Sequence, residues 1–548
     1  MKLEKFIYEI IQSPKKSLFV YILTLALFIV SVATFPTKIV KAKMLPSKDS
    51  DTFSVYVDLK DGSSIQQTKE VTSCISKKLI LKDLVTDVSV FIGEGHPLDF
   101  AALVKLSALK DKQSQAEIMV NIKKQRDISS YNFVSQIRDE IQECSKYEAN
   151  IKLIELPAGP PVLASIVAEI YGGNSFNNRR DFAYEIANIL KEQKSLVDID
   201  VMADDSYKKY EITLDNNKII KSGLSLDQVK NVIYMAYEGV QVSVINEKDA
   251  QSQVPVFLRL DEKRVFNSNK KDEIIDKLST LKLINKNGLK IPLTELIQIK
   301  SVEKEPTLTS KNLKPMINVI AETNKDSQIY PLLDARETLL NNFDSKYDVS
   351  KTDLLNLQFK NKITGEKFDL VWDGELKVTI DTFVDLGGAF IIALVLIFFL
   401  MVIYYKSFAI SGGIVLSSFI SIIGVIFAHI IMDLLTVDTF YLTATSLIGF
   451  IGLIGINSRN STLIIDFTKQ LIEEKGLTVN QAIAKATATR SKPIILTVLT
   501  MVFASSLLAT DAVFGGLGVA LIGGTLISYV VSMFFVPVII RNQIKKLL

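Results

Sequence analysis

The stretch GLIGINSRNSTLIIDF, Gly452 to Phe467, decides how this chain is to be read. It continues an apolar run that starts near residue 440, yet Arg459 stands inside it, flanked by Asn457, Ser458, Asn460 and Ser461. A hydrocarbon core about 30 Å thick needs about 20 residues at 1.5 Å each. Six runs are long enough: 17–35, 386–405, 408–432, 440–467, 493–510 and 514–540. Arg459 comes eight residues before Phe467, roughly 12 Å inside its span at about 1.5 Å per residue. An arginine at that depth costs about 2.5–3.5 kcal/mol on insertion scales, and persists where it faces a bundle interior and meets a counter-charge. Snorkelling to the headgroups is the competing reading; it leaves the polar neighbours unexplained.

The remaining composition is compatible with a membrane protein. The 548 residues are 48% hydrophobic with a net charge of +3, which gives no argument for nucleic-acid binding. The segment from about 44 to 380 has ordinary globular composition. Lys406, Arg490, Lys492, Arg541, Lys545 and Lys546 fall at one set of span ends, and Asp433, Asp438 and Asp511 at the other. The positive-inside rule then places both termini in the cytoplasm and the globular segment outside. A cleaved signal peptide at 1–35 is the alternative. Cys74 and Cys144, the only two cysteines, each fall near the C-terminal end of an expected helix. Antiparallel helices would separate them, so two free, buried thiols are expected.

The globular segment reads as α+β. TFSVYVDL (52–59) alternates as a half-buried strand, and a helix at 64–79 carries Val71, Ile75 and Leu79 on one stripe. Strands at 86–92 and 118–122, a helix at 130–145 and a strand at 151–154 complete a βαββαβ unit over 44–160. The order recurs with IVAEIY (166–171), a helix at 177–193, VDIDV (197–201), MINVIA (316–321), a helix at 328–342 and FDLVW (368–372). The second unit therefore covers 161–205 and 313–375, split by an insert at 206–312. Residues 1–43 hold the N-terminus and first span, and 376–548 the other five. Residues 468–490 read as an amphipathic helix pair on the cytoplasmic membrane surface.

Several motifs in order carry a family likeness: WDG (372–374), YYKSF (404–408), GINSRNSTLIIDF (455–467), RSKPIILT (490–497) and FFVPVII (534–540). With VAEIYG (167–172), NNKIIKSGLSLDQV (216–229) and NGLKIPLTEL (287–296), the chain resembles the C-terminal half of an acriflavine-resistance-type efflux pump of the resistance–nodulation–division (RND) superfamily. The resemblance implies six transmembrane helices, two ferredoxin-like βαββαβ porter units in the periplasm of a Gram-negative bacterium, and an inserted docking subdomain.

In the resembled pumps a lysine near the Arg459 position pairs with two aspartates on a helix of the N-terminal half. Arginine does not give up its proton, so the carboxylates of a partner must titrate against it; this chain has no obvious substitute for the aspartate pair. By the same resemblance Asn460, Thr497, Thr500 and Arg490 fall on the proton relay. For Thr497 a hydroxyl bonded back to its own helix is an equal alternative. The resemblance also implies a substrate cleft between the two units, crossed by the loop GEGHPLDFAALVKL (93–106). Leu98, Phe100 and Leu103 of that loop, with Ile166 and Ala168, then line the substrate path. It implies a trimer with a periplasmic adaptor and an outer-membrane channel, driven by the proton gradient without a cofactor.

Three function classes remain open. The first is half of a proton-driven exporter of hydrophobic or amphiphilic compounds, completed by a partner carrying the N-terminal half. The second is a non-transporting remnant or lipid/assembly module. The third is a heavy-metal-exporting half, although His96 and His429 fall in different compartments and the methionines are scattered. No HExxH, P-loop or GxSxG motif supports an enzyme.

Overall fold

The computed structural model describes residues 2–156, 159, 162–260 and 271–544. The chain opens with two helices, α1 (Lys2–Gln12) and α2 (Pro14–Ala33), the second capped by Ser13 with Pro14 at its first position. Then comes β1 (Thr52–Asp58), α3 (Ile65–Ile80), β2 (Val85–Ile92), the short α4 (Phe100–Val104), β3 (Gln115–Ile122), α5 (Ser130–Gln142) and β4 (Asn150–Glu155). These strands form one antiparallel sheet in the order β2-β3-β1-β4. Phe53, Val55 and Val57 alternate inward from β1 and meet Val71, Ile75, Val134, Ile137 and Ile141 of the two helices. The opposite sheet face carries Tyr56, Glu117 and Lys152 in adjacent strands, all buried.

The second unit repeats the pattern with β5 (Ile166–Gly172), α6 (Phe176–Lys191) and β6 (Leu196–Met202), and resumes after the insert. The insert comprises β7 (Lys208–Leu214), α7 (Asn216–Lys221), α8 (Leu226–Tyr237), β8 (Val240–Ile245), β9 (Val254–Leu258), α9 (Lys271–Ser279), β10 (Lys282–Ile284), β11 (Lys290–Pro292), β12 (Ile297–Glu303) and β13 (Thr309–Lys311). β7 pairs with β12 and closes its base, and Ser225 and Gln228 form a capping box at the start of α8. β14 (Lys314–Thr323), α10 (Ile329–Asn342), β15 (Tyr347–Lys351), β16 (Leu357–Asn361) and β17 (Lys367–Asp373) complete the unit. Its inner four strands run β6-β14-β5-β17, the order of the first sheet. The hairpin β15–β16 extends it beyond β17, and the sequence reading did not anticipate it. Phe359 and Tyr347 of that hairpin stack around Phe182 in the core.

The last helices are α11 (Glu375–Tyr405), α12 (Phe408–Ile420), α13 (Ile422–Leu435), α14 (Ala444–Lys475), α15 (Val479–Leu508), α16 (Gly515–Val530) and α17 (Val536–Ile544). Among the described residues six segments are long and apolar enough to cross a membrane: Pro14–Ala33, Glu375–Tyr405, Phe408–Leu435, Ala444–Lys475, Val479–Leu508 and Gly515–Arg541. Gly374 starts α11 at φ 85°, with a Cβ there 2.6 Å from the Ala164 carbonyl. Where α13 meets α16, a Cβ on Gly424 would lie 2.2 Å from the Gly523 carbonyl. Small residues let these two helices pack backbone to backbone, as membrane helices do. At one end of the bundle Ile7 and Ile11 of α1 are buried with Ile483 and Ile540, and Arg541 donates to the Ile11 carbonyl at 2.6 Å. The two chain ends therefore share one end of the bundle.

Two expectations need correction. Residues 468–490 do not form a separate helix pair: they are the end of α14 and the start of α15, joined by a turn at Gly476. Nothing between 444 and 475 breaks helical hydrogen bonding, so the span simply runs on. Cys74 and Cys144 are not free but joined, with Cα atoms 5.8 Å apart. The helices do run antiparallel, as Lys78 against Glu140 and Tyr147 against Glu70 show. However, Cys74 lies mid-helix and Cys144 just past the end of the shorter α5, so the stagger brings them level. The disulfide closes a separation of 70 residues, where a cross-link contributes about 2–4 kcal/mol. Thiol alkylation of the native protein in denaturant should label neither cysteine before reduction and both after it. Labelling without reductant would refute the link.

Candidate functional site

Two regions gather the residues with chemistry. The first is α14. Ile448, Gly452, Gly455, Arg459 and Leu463 recur at helical spacing and form one exposed stripe. The opposite side buries the polar residues. Asn457 donates to the Ser417 carbonyl at 2.9 Å and accepts from the Ser528 hydroxyl. Ser461 meets Ser417 at 3.1 Å and Ser458 meets Ser418 at 3.2 Å. Amides and hydroxyls thus stitch α14 to α12 and α16, the role polar side chains take between membrane helices.

Arg459 takes no part in this. Among the described residues it has neither an ion pair nor a hydrogen-bond partner, and it stands on the exposed stripe. Asp466, two turns on, is engaged by the Tyr405 hydroxyl at 2.9 Å and the Tyr404 hydroxyl at 3.3 Å. The structure separates Asn460 from Arg459: its amide is buried and aimed at Ser528, 3.4 Å away. Thr497 donates to the Pro493 carbonyl at 3.0 Å and Thr500 to the Thr497 carbonyl at 2.8 Å, so both hydroxyls are bonded to their own helix. Thr500 is exposed, among Leu496, Leu499 and Phe503. The Arg490 guanidinium sits 4.5 Å from the centroid of the Phe467 ring, a cation–π contact.

The second region is where the two α/β units meet. Four cations of the first unit reach carboxylates of the second. Arg138 pairs with Asp198 at 2.6 Å, Lys112 with Asp204 at 2.6 Å and Lys105 with Glu322 at 3.1 Å, while Lys152 bridges Asp200 and Asp58. The side chains of Lys105, Lys152 and Asp198 are almost wholly buried. The loop 93–106 ends in Lys105 and is anchored by His96, whose Nδ1 lies 2.9 Å from the buried Glu117 carboxylate. On that loop Leu98, Phe100 and Leu103 are exposed by 70%, 67% and 52%.

Ile166 and Ala168, expected along the substrate path, are not exposed in this structure. Both are fully buried in the core of the second unit. Alternation along β5 turns them to the helices, while Glu169, next after Ala168, faces the other way and pairs with Lys311 at 2.6 Å. The sequence reading missed the Arg138–Asp198 and Lys105–Glu322 pairs, since each joins residues far apart in the chain. The alternating acids of VDIDV were the available signal.

Breaking a buried pair on one side costs about 3–5 kcal/mol, whereas replacing both partners with apolar groups is often neutral. Asp198→Asn should therefore lower the thermal midpoint of the purified chain clearly more than Arg138→Met with Asp198→Leu. Desolvation raises the Asp204 carboxyl, but its bonds from Lys112 and Thr307 win and hold it down to about 2. Its contribution is complete above the unfolded value of 3.8 and is lost as pH falls through about 2. Scanning calorimetry in acid should show Asp204→Asn removing that part of the pH dependence.

Residues 2–542 match the sequence profile of the AcrB/AcrD/AcrF family. Over 519 residues the chain is 21% identical to the swarming motility protein SwrC of Bacillus subtilis (strain 168), covering 92% of this chain and 44% of that protein. Over 546 residues it is 20% identical to the multidrug export protein AcrF of Escherichia coli (strain K12), covering 97% and 48%. In structure it is similar to a heavy metal efflux pump (crystal form II), with a TM-score of 0.72 at 16% identity over 99% of this chain and 51% of that one. The chain spans about half the length of the curated relatives it matches.

Proposed function

The chain belongs to the AcrB/AcrD/AcrF family of RND efflux transporters, and from that premise we propose that it is one half of a proton-driven exporter. Members of this family are transporters rather than enzymes, and such pumps generally work with adaptor proteins and outer-membrane channels. The partner polypeptide carries the N-terminal half and its transmembrane aspartate pair. One observation carries this reading. Arg459 is a permanent cation on the exposed stripe of a membrane-length helix, while the polar groups around it are satisfied elsewhere.

In this reading the guanidinium is the fixed counter-ion and the partner's carboxylates titrate. Ionised, they hold Arg459 by charge-assisted, bidentate bonds. Protonated, they release it, and α14 shifts. Thr497 and Thr500 serve only if their hydroxyls leave their backbone acceptors. The two βαββαβ units act as ferredoxin-like porter domains in the periplasm, the insert as the docking surface toward channel or adaptor, and the assembly is a trimer. Both termini lie in the cytoplasm. The preferred cargo is hydrophobic or amphiphilic, because the loop between the units exposes Leu98, Phe100 and Leu103. Likeness to a heavy metal pump at 16% identity bears on the fold and leaves cargo open.

The test is export of a fluorescent amphiphile from efflux-deficient cells producing the chain with its partner. Arg459→Ala should abolish export while insertion and assembly remain, and Arg459→Lys should keep part of it. Full export by the alanine variant would end the assignment.

A further inference from the structure

A cavity of about 80 Å³ lies where the two α/β units, the linker after α2 and the start of α11 converge. Lys43, Lys105, Arg138, Glu155, Glu322 and Glu375 line it. Three of these are neutralised directly: Lys105 by Glu322, and Arg138 by Asp198. The other three are not. Lys43 is 6% exposed, and among the described residues its ammonium bonds only the Ser47 hydroxyl at 3.1 Å, above the Tyr441 ring. Glu155 has a buried carboxylate oxygen with no partner. Glu375 has no ion pair among the described residues.

Buried charges persist where something pairs them. Here Lys43 and two carboxyl groups face one space, and among the described residues no ion pair joins them. A group bearing both signs would satisfy all three. The space takes several small polar groups, since about 10–15 Å³ of such volume holds one water. The loop that delivers Lys105 to this cavity also carries the exposed Leu98, Phe100 and Leu103, an apolar surface next to a charged one.

We propose that this cavity receives the zwitterionic headgroup of an amphiphile, with its phosphate or carboxylate on Lys43 and its primary ammonium between Glu155 and Glu375. The apolar tail lies along the 98–103 loop. The assignment rests on the reading of the inter-unit region as the cargo path and narrows the cargo to one chemical class. Burial pushes the Glu155 carboxyl up to about 7, against the pull of Arg138 and Lys43 and with the push of Glu322 and Asp198. Glu375, the Lys105–Glu322 pair, Lys48 and Lys325 are the other charged groups of this cavity. An ammonium needs the ionised carboxylate, so binding should strengthen as pH rises from 6 to 8, about one unit either side of that value.

The full chain in a neutral detergent would be titrated with lysophosphatidylethanolamine, lysophosphatidylglycerol, dodecylammonium and tail-less phosphoethanolamine, with binding followed by native mass spectrometry. The zwitterionic lysolipid should bind about tenfold tighter than either singly charged amphiphile, a difference of about 1.4 kcal/mol. Lys43→Met should abolish that preference and Lys43→Arg keep it. Glu155→Gln should abolish both the preference and the rise with pH. Equal affinity for all three amphiphiles, a preference surviving Lys43→Met and Glu155→Gln, or no saturable binding (a cavity holding water alone) would overturn the site. Phosphoethanolamine binding as tightly as the lysolipid would overturn the amphiphile assignment. Arg459→Ala should leave the headgroup preference intact. A failed site beside Arg459-dependent export would thus remove the headgroup assignment and leave the exporter standing.

Discussion

A guanidinium within a helix long and apolar enough to cross a membrane is costly unless a counter-charge or solvent meets it. The polar groups of α14 are divided by face. Asn457, Ser458 and Ser461 turn inward and find partners on α12 and α16. Arg459 turns outward into a stripe of glycines and aliphatics, where no described residue answers its charge. Gly452 and Gly455 beside it leave room for close approach of another helix. A lipid-facing helix gains nothing from either feature. A helix that meets an acidic neighbour gains from both.

The α/β region obeys the opposite rule. Its charges are buried too, but the junction between the units is a series of direct ion pairs. Buried pairs contribute less to stability than to geometry, because desolvation offsets much of the attraction. Asp198, Asp200, Asp204 and Glu322 each meet a cation of the first unit, and each rung tolerates only one register of the two sheets. Cys74–Cys144 holds the helices of the first unit in register in the same way. The relative placement of the units is thereby specified by electrostatics, with apolar packing confined to each unit's own core.

What the sequence discloses about such a structure depends on how local each signal is. Hydropathy over about 20 residues is local, and the six runs found by it coincide with six helices long enough to cross a membrane. Alternation located β1 and β6, and 3–4 spacing located α3 and α5. Failures occurred where geometry is relational. Ile166 and Ala168 were placed by likeness in a cleft, but strand parity turns them into the core. Cys74 and Cys144 seemed too distant because helix stagger is invisible in periodicity. The hairpin at 347–361 was overlooked because YDVSK and LQFKN are short and polar, and gain strand character from pairing with each other and, for LQFKN, with β17. Arg459 was legible because its violation is local: one charge in an apolar run. Its lack of a partner became visible only with the neighbouring helices in place.

One element joins the two regions. α11 begins at Glu375 in the inter-unit cavity, and Gln328 of the second unit donates to its Thr379 at 2.7 Å. It ends at Tyr405, whose hydroxyl holds Asp466 on α14, two turns from Arg459. Its 31 residues span roughly 46 Å at about 1.5 Å per residue, unbroken by proline. A continuous helix transmits displacement along its axis with little loss, since bending needs a break in its hydrogen bonds. A displacement of α14 would therefore reach Tyr405, and through α11 Glu375 and the floor of the cavity. Coupling between the two ends requires no chain of contacts through the α/β cores: one rigid helix, anchored at both ends by hydrogen bonds, suffices.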